Sequence, residues 1–212
     1  MNTEYYLFDF DGTLVDSMEI WAGNHISALQ RGGIPVPENF VETITPLGNY
    51  KASQYTISLG LNISLEDYLD KVTQDSIVAY STLVNLKPNV AETLKRLKQR
   101  GVSVNVFTAS PHIYVDDCLK RWGVYDYFEK VWSIEDFGTM TKGETRIYET
   151  AAQRLETEIG NCTLIDDNYI AIATAKEAGM KTIAIFDKSS RSQESALRAL
   201  ADQYIYDFNE II

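Results

Sequence analysis

Two carboxylates stand two positions apart in the stretch YYLFDFDGTLVDS, residues 5–17, where an apolar run ends in Asp9 and Asp11. Neighbouring like charges repel unless a cation or a shared proton offsets the repulsion. The pair is therefore either a solvated turn or one part of a metal site. Other residues able to do chemistry recur at similar places. Thr108 and Ser110 follow the apolar run VSVNVF (102–107), and Asp166 and Asp167 follow CTLI (162–165), with Lys142 opening the helical pattern before the latter. At an extended strand end residues i and i+2 point the same way, so Asp9 and Asp11 can address one centre while Phe10 turns into the core. Gly12 supplies permissive backbone for the turn that follows. Carboxylates in this number suit Mg²⁺, a hard cation that keeps several waters and is held by few protein carboxylates together with a substrate phosphate. With Mg²⁺ and the Lys142 ammonium nearby, Asp9 stays ionised. Ser110 before Pro111 has the pattern of an N-cap with proline at N1, a helix start whose free N–H groups would face an anion held by the Thr108 hydroxyl.

These residues meet only if the runs they follow lie side by side. Strand-length apolar runs recur at 5–8, 102–107, 130–132, 162–165 and 181–186. Amphipathic helical patterns separate the later ones, VAETLKRLKQRG ending at Gly101 and IAIATAKEAG at Gly179. Short strands alternating with helices predict an α/β fold, a Rossmann-like three-layer core with a central parallel sheet and right-handed crossovers. Ligands of such a sheet bind beyond the carboxyl ends of its strands, where all the residues above lie. The alternating YIYDF, with Tyr204 and Tyr206, predicts a last short strand or packed segment.

Residues 16–86 break the rhythm with helical stretches near SMEIWAGNHISALQRGG, ENFVETI, NYKASQYTISLG and SLEDYLDKVTQDSIVAYSTL, and with no convincing buried strand. The expected division is a core of residues 1–15 and 87–212 and an all-helical cap of residues 16–86 inserted after the first strand.

Composition narrows the partners. A net charge of −11 argues against nucleic acid and against an anionic membrane surface. It admits anionic substrates only where a bound cation reverses the local sign. Cys118 and Cys162 fit neither a metal spacing nor a disulfide framework, as expected of buried thiols in a reducing compartment. With no signal-like N-terminus and no long apolar run, a cytoplasmic protein, monomeric or weakly homodimeric, is expected.

In order and spacing, DFDGTLVDS, VFTAS, TKGETRIYETA and LIDDNYIAIATAKEAGM resemble the four motifs of the haloacid dehalogenase-like hydrolase superfamily. The resemblance spans essentially the whole chain and is strongest to the phosphoglycolate phosphatase and β-phosphoglucomutase branch, which carries a small helical cap. It implies that Asp9 is the nucleophile of an aspartyl-phosphate pathway and a metal ligand. It implies that Asp11 is the general acid and base, with its backbone carbonyl on Mg²⁺. Thr108 matches the hydroxyl that holds the transferring phosphoryl, with Ala109 beside it in the same phosphate-binding motif. Lys142 matches the charge-balancing lysine, and Asp166 and Asp167 the acidic metal-binding pair. The implied activity is a Mg²⁺-dependent phosphatase acting on a small phosphorylated metabolite.

Departures from the family pattern carry information. Gly143 and Thr145 replace two prolines of the third motif, which predicts a looser loop around Lys142, and Ala171 replaces a further acid. Mutases of this branch carry a histidine twelve positions after the nucleophile; Trp21 stands there, with His25 one turn on, which favours phosphatase over mutase. LGNYK resembles a cap loop that reaches substrate, making Lys51 the candidate specificity residue. The alternatives are a β-phosphoglucomutase-like phosphosugar mutase and a non-catalytic relative that binds a phosphorylated ligand.

Overall fold

The computed structural model describes residues 4–211. In chain order the elements are β1 (Tyr5–Phe8), β2 (Val15–Asp16), α1 (Met18–Arg31), α2 (Phe40–Ile44), α3 (Gly48–Ser58), α4 (Leu65–Thr82), β3 (Asn85–Leu86), α5 (Val90–Gln99), β4 (Ser103–Thr108), α6 (His112–Arg121), β5 (Lys130–Ser133), α7 (Thr145–Arg154), β6 (Cys162–Asp166), α8 (Tyr169–Ala178), β7 (Lys181–Ile185), α9 (Glu194–Leu200) and β8 (Gln203–Ile205). The predicted strands appear within one residue of their expected ends, and YIYDF supplies β8.

The chain divides into two compact units, Met1–Asp16 with Asn85–Ile212, and Ser17–Val84. In the first, six strands form one parallel sheet in the order β5-β4-β1-β6-β7-β8. The chain works outward from β1 to β4 and β5, then returns to β6 on the other side of β1 and works outward again. Ligand sites of such sheets form at this kind of reversal, beyond the strands' carboxyl ends. Strand side chains alternate between faces. Leu7, Phe107, Leu164 and Ala184 meet Ile147 and Tyr148 of α7, Ala171 and Ile172 of α8 and Leu197 of α9 in one buried cluster. Phe8, Val104 and Val106, one register position away, are also fully buried, and α5 packs against β4 through its apolar stripe Val90, Leu94 and Leu97. The sheet is thus the middle layer of an α/β sandwich.

Two strands escaped sequence reading. β2 and β3 are two-residue strands paired antiparallel, Val15 with Leu86 and Asp16 with Asn85, so the two chain crossings at the base of the insertion run side by side. Two residues are too few to show periodicity.

The second unit is helical, as its patterns predict. Ser64 caps α4 by accepting the Asp67 amide at 3.1 Å, with Glu66 and Asp67 in the first turn. Its apolar interior joins Ala22, Leu29, Phe40, Ile44 and Ala52 in one cluster and Ala28, Tyr68 and Val72 in another. Among the described residues no helix is long and apolar enough to cross a membrane.

Candidate active site

Register builds the site. Phe8 pairs with Val106 on one side and Ile165 on the other, so the residue after β1 arrives level with the ends of β4 and β6. The Asp9 amide donates to the Ile165 carbonyl at 2.9 Å, extending the ladder one residue past the strand. Asp9, Thr108, Asp166 and Asp167 are all buried there, between 1% and 7% exposed.

Lys142 comes from the loop before α7 and bridges two of them. Its Nζ donates to Asp9 Oδ1 at 2.5 Å and Asp166 Oδ2 at 2.9 Å. Side-chain hydrogen bonds hold the loop that lacks these prolines. The buried Tyr148 hydroxyl, at 2.8 Å, donates to the Lys142 carbonyl, and Glu144 Oε1 accepts the Thr141 amide and hydroxyl at 2.9 and 3.0 Å. Side-chain hydrogen bonds here do the restraining that a fixed proline φ does elsewhere.

Asp167 meets the turn after Asp9 instead. The Thr13 hydroxyl donates to its Oδ1 at 3.3 Å. Gly12 has φ +74, and a Cβ there would lie 2.8–2.9 Å from the Asp167 carboxyl atoms. Only glycine satisfies both conditions: it reaches the left-handed region without strain and lets backbone touch a carboxylate. Asp166 completes its own bonding with Oδ1, which accepts the Asn168 amide at 2.8 Å, while Asn168 caps α8.

Carboxylates are crowded together in this cluster. Burial pushes the Asp9 carboxyl up to about 7; Lys142 pulls it down, and Asp166 and Asp11 push it up again. Asp167 is raised well above the usual carboxylate range by burial, then by Asp166, Asp9 and Asp187, against the pull of Lys87. Burial alone would lower Lys142, but Asp166 and Asp9 more than reverse this and keep it charged. Carboxylate oxygens of Asp9, Asp166 and Asp167 lie within 4.8 Å of one another. Three buried carboxylates against one ammonium, all hard oxygen donors, fit a divalent cation such as Mg²⁺.

Asp11 lies near this cluster but is engaged differently: the Ser110 hydroxyl donates to its Oδ2. This corrects the reading of Ser110 as a helix cap. Pro111 is the N-cap of α6, without side-chain capping, because its extended ψ of 149° postpones the helix by one residue. The Ser110 amide donates to the Thr108 hydroxyl at 3.0 Å, fixing the turn, and Ala109 is exposed at its tip. His112 is 39% exposed and paired with Asp136 at 2.9 Å and Asp116 at 3.4 Å, in keeping with a structural role. Lys51 belongs to α3 of the helical unit, where it is exposed.

Four supporting residues outside the reacting cluster were missed: Tyr148, Thr13, and the pair Lys87 and Asp187, joined at 2.8 Å. Asp187 had a readable signal. It follows β7 as the Asp166–Asp167 pair follows the run at 162–165, so the rule that residues past strand ends form the site extends to it. Tyr148 and Lys87 act through tertiary contacts that no local pattern announces.

A model of the family described as haloacid dehalogenase-like hydrolase matches residues 6–185. Validoxylamine A 7'-phosphate phosphatase of Streptomyces hygroscopicus subsp. limoneus is 24% identical over 97% of this chain and 94% of its own. A phosphorylated carbohydrates phosphatase of Thermotoga maritima is 23% identical, over 85% and 83% respectively. The crystal structure of CbbY from Rhodobacter sphaeroides in complex with phosphate superposes with a TM-score of 0.81 at 19% identity, covering 99% of this chain and 96% of that one.

Proposed function

Because the chain belongs to the haloacid dehalogenase-like hydrolase family, we propose that it is a Mg²⁺-dependent phosphatase that hydrolyses a small phosphorylated metabolite through an aspartyl-phosphate on Asp9. The observation that carries this reading is the division of labour between two carboxylates two residues apart. Asp9 is bonded to the Lys142 ammonium at 2.5 Å, whereas Asp11 is bonded to the Ser110 hydroxyl. Equal residues in unequal settings suit unequal roles.

In the first step an Asp9 oxygen attacks phosphorus, the bond to the leaving alcohol breaks, and Asp11 gives that oxygen its proton. In the second, Asp11 takes a proton from the attacking water, inorganic phosphate leaves, and the Asp9 carboxylate is restored. Dividing one displacement into two is the gain from a carboxylate nucleophile. Lys142 pulls the Asp9 carboxyl back toward its ionised form against burial and balances charge on the phosphoryl oxygens. The Thr108 hydroxyl, oriented by the Ser110 amide, and the backbone at Ala109 hold those oxygens. Mg²⁺, held by Asp9, Asp166, Asp167 and the Asp11 carbonyl, would neutralise the charge of the phosphoryl group. Acid–base help accounts for only about 10²–10⁴ of the acceleration. Charge stabilisation therefore carries more of the rate than proton transfer does.

The helical unit is read as the cap that selects the substrate, with Lys51 its specificity residue. The names of the relatives point to sugar-like phosphates as the first candidates. Trp21, in the mutase histidine's place, favours hydrolysis over transfer between positions of a sugar. Phosphate release should be measured over a panel of phosphorylated metabolites with Mg²⁺, with EDTA, and for Asp9→Asn. Steady release from some member, abolished by EDTA and by Asp9→Asn, is expected. EDTA-insensitive hydrolysis, or turnover by Asp9→Asn, contradicts the proposal.

A further inference from the structure

The proposed reaction makes no use of a second buried ion pair on the same rim. Lys87 follows β3, and Asp187 lies just past β7; their side chains are 12% and 5% exposed. Lys87 Nζ is 2.8 Å from Asp187 Oδ2 and donates to the Phe186 carbonyl at 3.0 Å. Asp187 Oδ1 accepts the Ser189 amide at 2.9 Å and the Ser189 hydroxyl at 2.6 Å. Asp187 is thus held in place through both carboxylate oxygens. Stability alone is a poor reason for such a pair, because apolar residues of the same volume often serve as well or better.

Its contacts give it a task. The Lys87 amide donates to the Leu14 carbonyl at 2.9 Å. Leu14 belongs to the Phe10–Val15 turn, which closes on itself as the Leu14 and Val15 amides donate to the Phe10 carbonyl at 2.9 and 3.0 Å. That turn sets Gly12 against the Asp167 carboxyl and extends the Thr13 hydroxyl to Asp167 Oδ1. Lys142 binds Asp9 and Asp166, whereas Lys87 holds the turn that meets Asp167.

We infer that Lys87 and Asp187 are positioning residues for Asp167. Together they staple the nucleophile turn to the end of β7, which keeps Gly12 and Thr13 seated on the Asp167 carboxylate and that carboxylate aimed at the metal. The inference rests on the reading of Asp9, Asp166 and Asp167 as the Mg²⁺ ligands of a phosphatase. Neither residue touches substrate, so their loss weakens metal binding and spares the chemical step. Outer partners of metal ligands typically govern affinity by about 10–100-fold.

The test titrates Mg²⁺ into the full-length protein by calorimetry without substrate, and separately follows p-nitrophenyl phosphate turnover against Mg²⁺. Asp187→Asn and Lys87→Met should each weaken Mg²⁺ binding about tenfold and raise the Mg²⁺ needed for half-maximal turnover by the same factor. Turnover at saturating Mg²⁺ should stay within about twofold, since the loss is of binding and not of the transition state. Lys87→Arg should restore most of the affinity. The double variant Lys87→Met with Asp187→Leu leaves no lone buried charge; it should melt near the wild-type temperature and still bind Mg²⁺ weakly. A wild-type Mg²⁺ isotherm in Asp187→Asn and in the folded double variant would overturn the inference and leave the phosphatase reading untouched. A wild-type protein that binds Mg²⁺ but releases no phosphate from any substrate would defeat the phosphatase reading, while the isotherms still decide the role of the pair.

Discussion

At the carboxyl edge of the parallel sheet, Asp9, Asp11, Asp166, Asp167 and Asp187 crowd around Lys142 and Lys87, with most of these side chains buried. Inside the helical unit, buried polarity centres on one uncharged ring. His25 is fully buried, with Nδ1 3.0 Å from the Tyr68 hydroxyl and 3.2 Å from Thr56 Oγ1, and the edge of Trp21 packs on it at 5.1 Å. Burial pushes His25 down to about 4, so it is neutral at physiological pH. α1 contributes His25 and Trp21 to this node, α3 Thr56 and α4 Tyr68. Burying a charge is costly unless it is paired or neutralised, whereas a neutral polar group needs only a hydrogen bond. The sheet unit holds charge for chemistry; the helical unit uses a polar contact to register three helices.

Perturbing each region should give effects that differ in kind. Lys142→Met, the largest, leaves Asp9 and Asp166 without their shared cation and should cost about 10²–10³-fold in turnover. Retention of activity within tenfold would show that the ammonium is not part of the charge balance. Gly12→Ala forces a left-handed alanine, at about 1–2 kcal/mol, and drives a methyl into Asp167. It should weaken Mg²⁺ activation about 10–100-fold, read from Mg²⁺ titrations of turnover.

For the helical unit the effect is one of stability with pH. A folded pKa below the unfolded value of 6.5 means that the unfolded chain takes the proton first on acidification. The stabilisation is present above pH 6.5 and is lost as pH falls toward 4, by roughly 3 kcal/mol. Amide exchange in α1, α3 and α4 should accelerate over that window in the wild type and less in His25→Gln. Equal acid sensitivity in the two proteins would remove His25 as the cause. The smallest effect belongs to Lys51→Ala. Stability should change by no more than about 0.5 kcal/mol, as for other exposed sites. p-Nitrophenyl phosphate turnover should hold within about twofold while preference among metabolites shifts; equal losses on all substrates would discard the specificity role.

Much of the sheet unit was readable because strands and helices carry their periods locally, and because residues past strand ends share one rim whatever their separation in the chain. Asp9, Thr108, Asp166 and Asp167 were found that way and Lys142 as the residue opening a helical pattern; Asp9, Lys142, Asp166 and Asp167 lie together. The Ser110 bond to Asp11 was not, because Ser-Pro satisfies two patterns and the extended Pro111 decides between them only in three dimensions. Tyr148 looks like any core position of α7, and its hydroxyl matters only because it reaches the Lys142 carbonyl. The helices of the other unit were equally readable, but any role of exposed side chains such as Lys51 is not, since they obey no packing rule that would mark them.

Borohydride reduction of the acid-quenched enzyme, caught during turnover with Mg²⁺, tests the central claim most directly. An acyl phosphate on an aspartate is reduced to homoserine, which mass spectrometry locates by residue. Homoserine at position 9, lost with EDTA and in Asp9→Asn, is the predicted result. Phosphate release in which residue 9 stays unmodified, or in which another residue carries the label, would contradict the account.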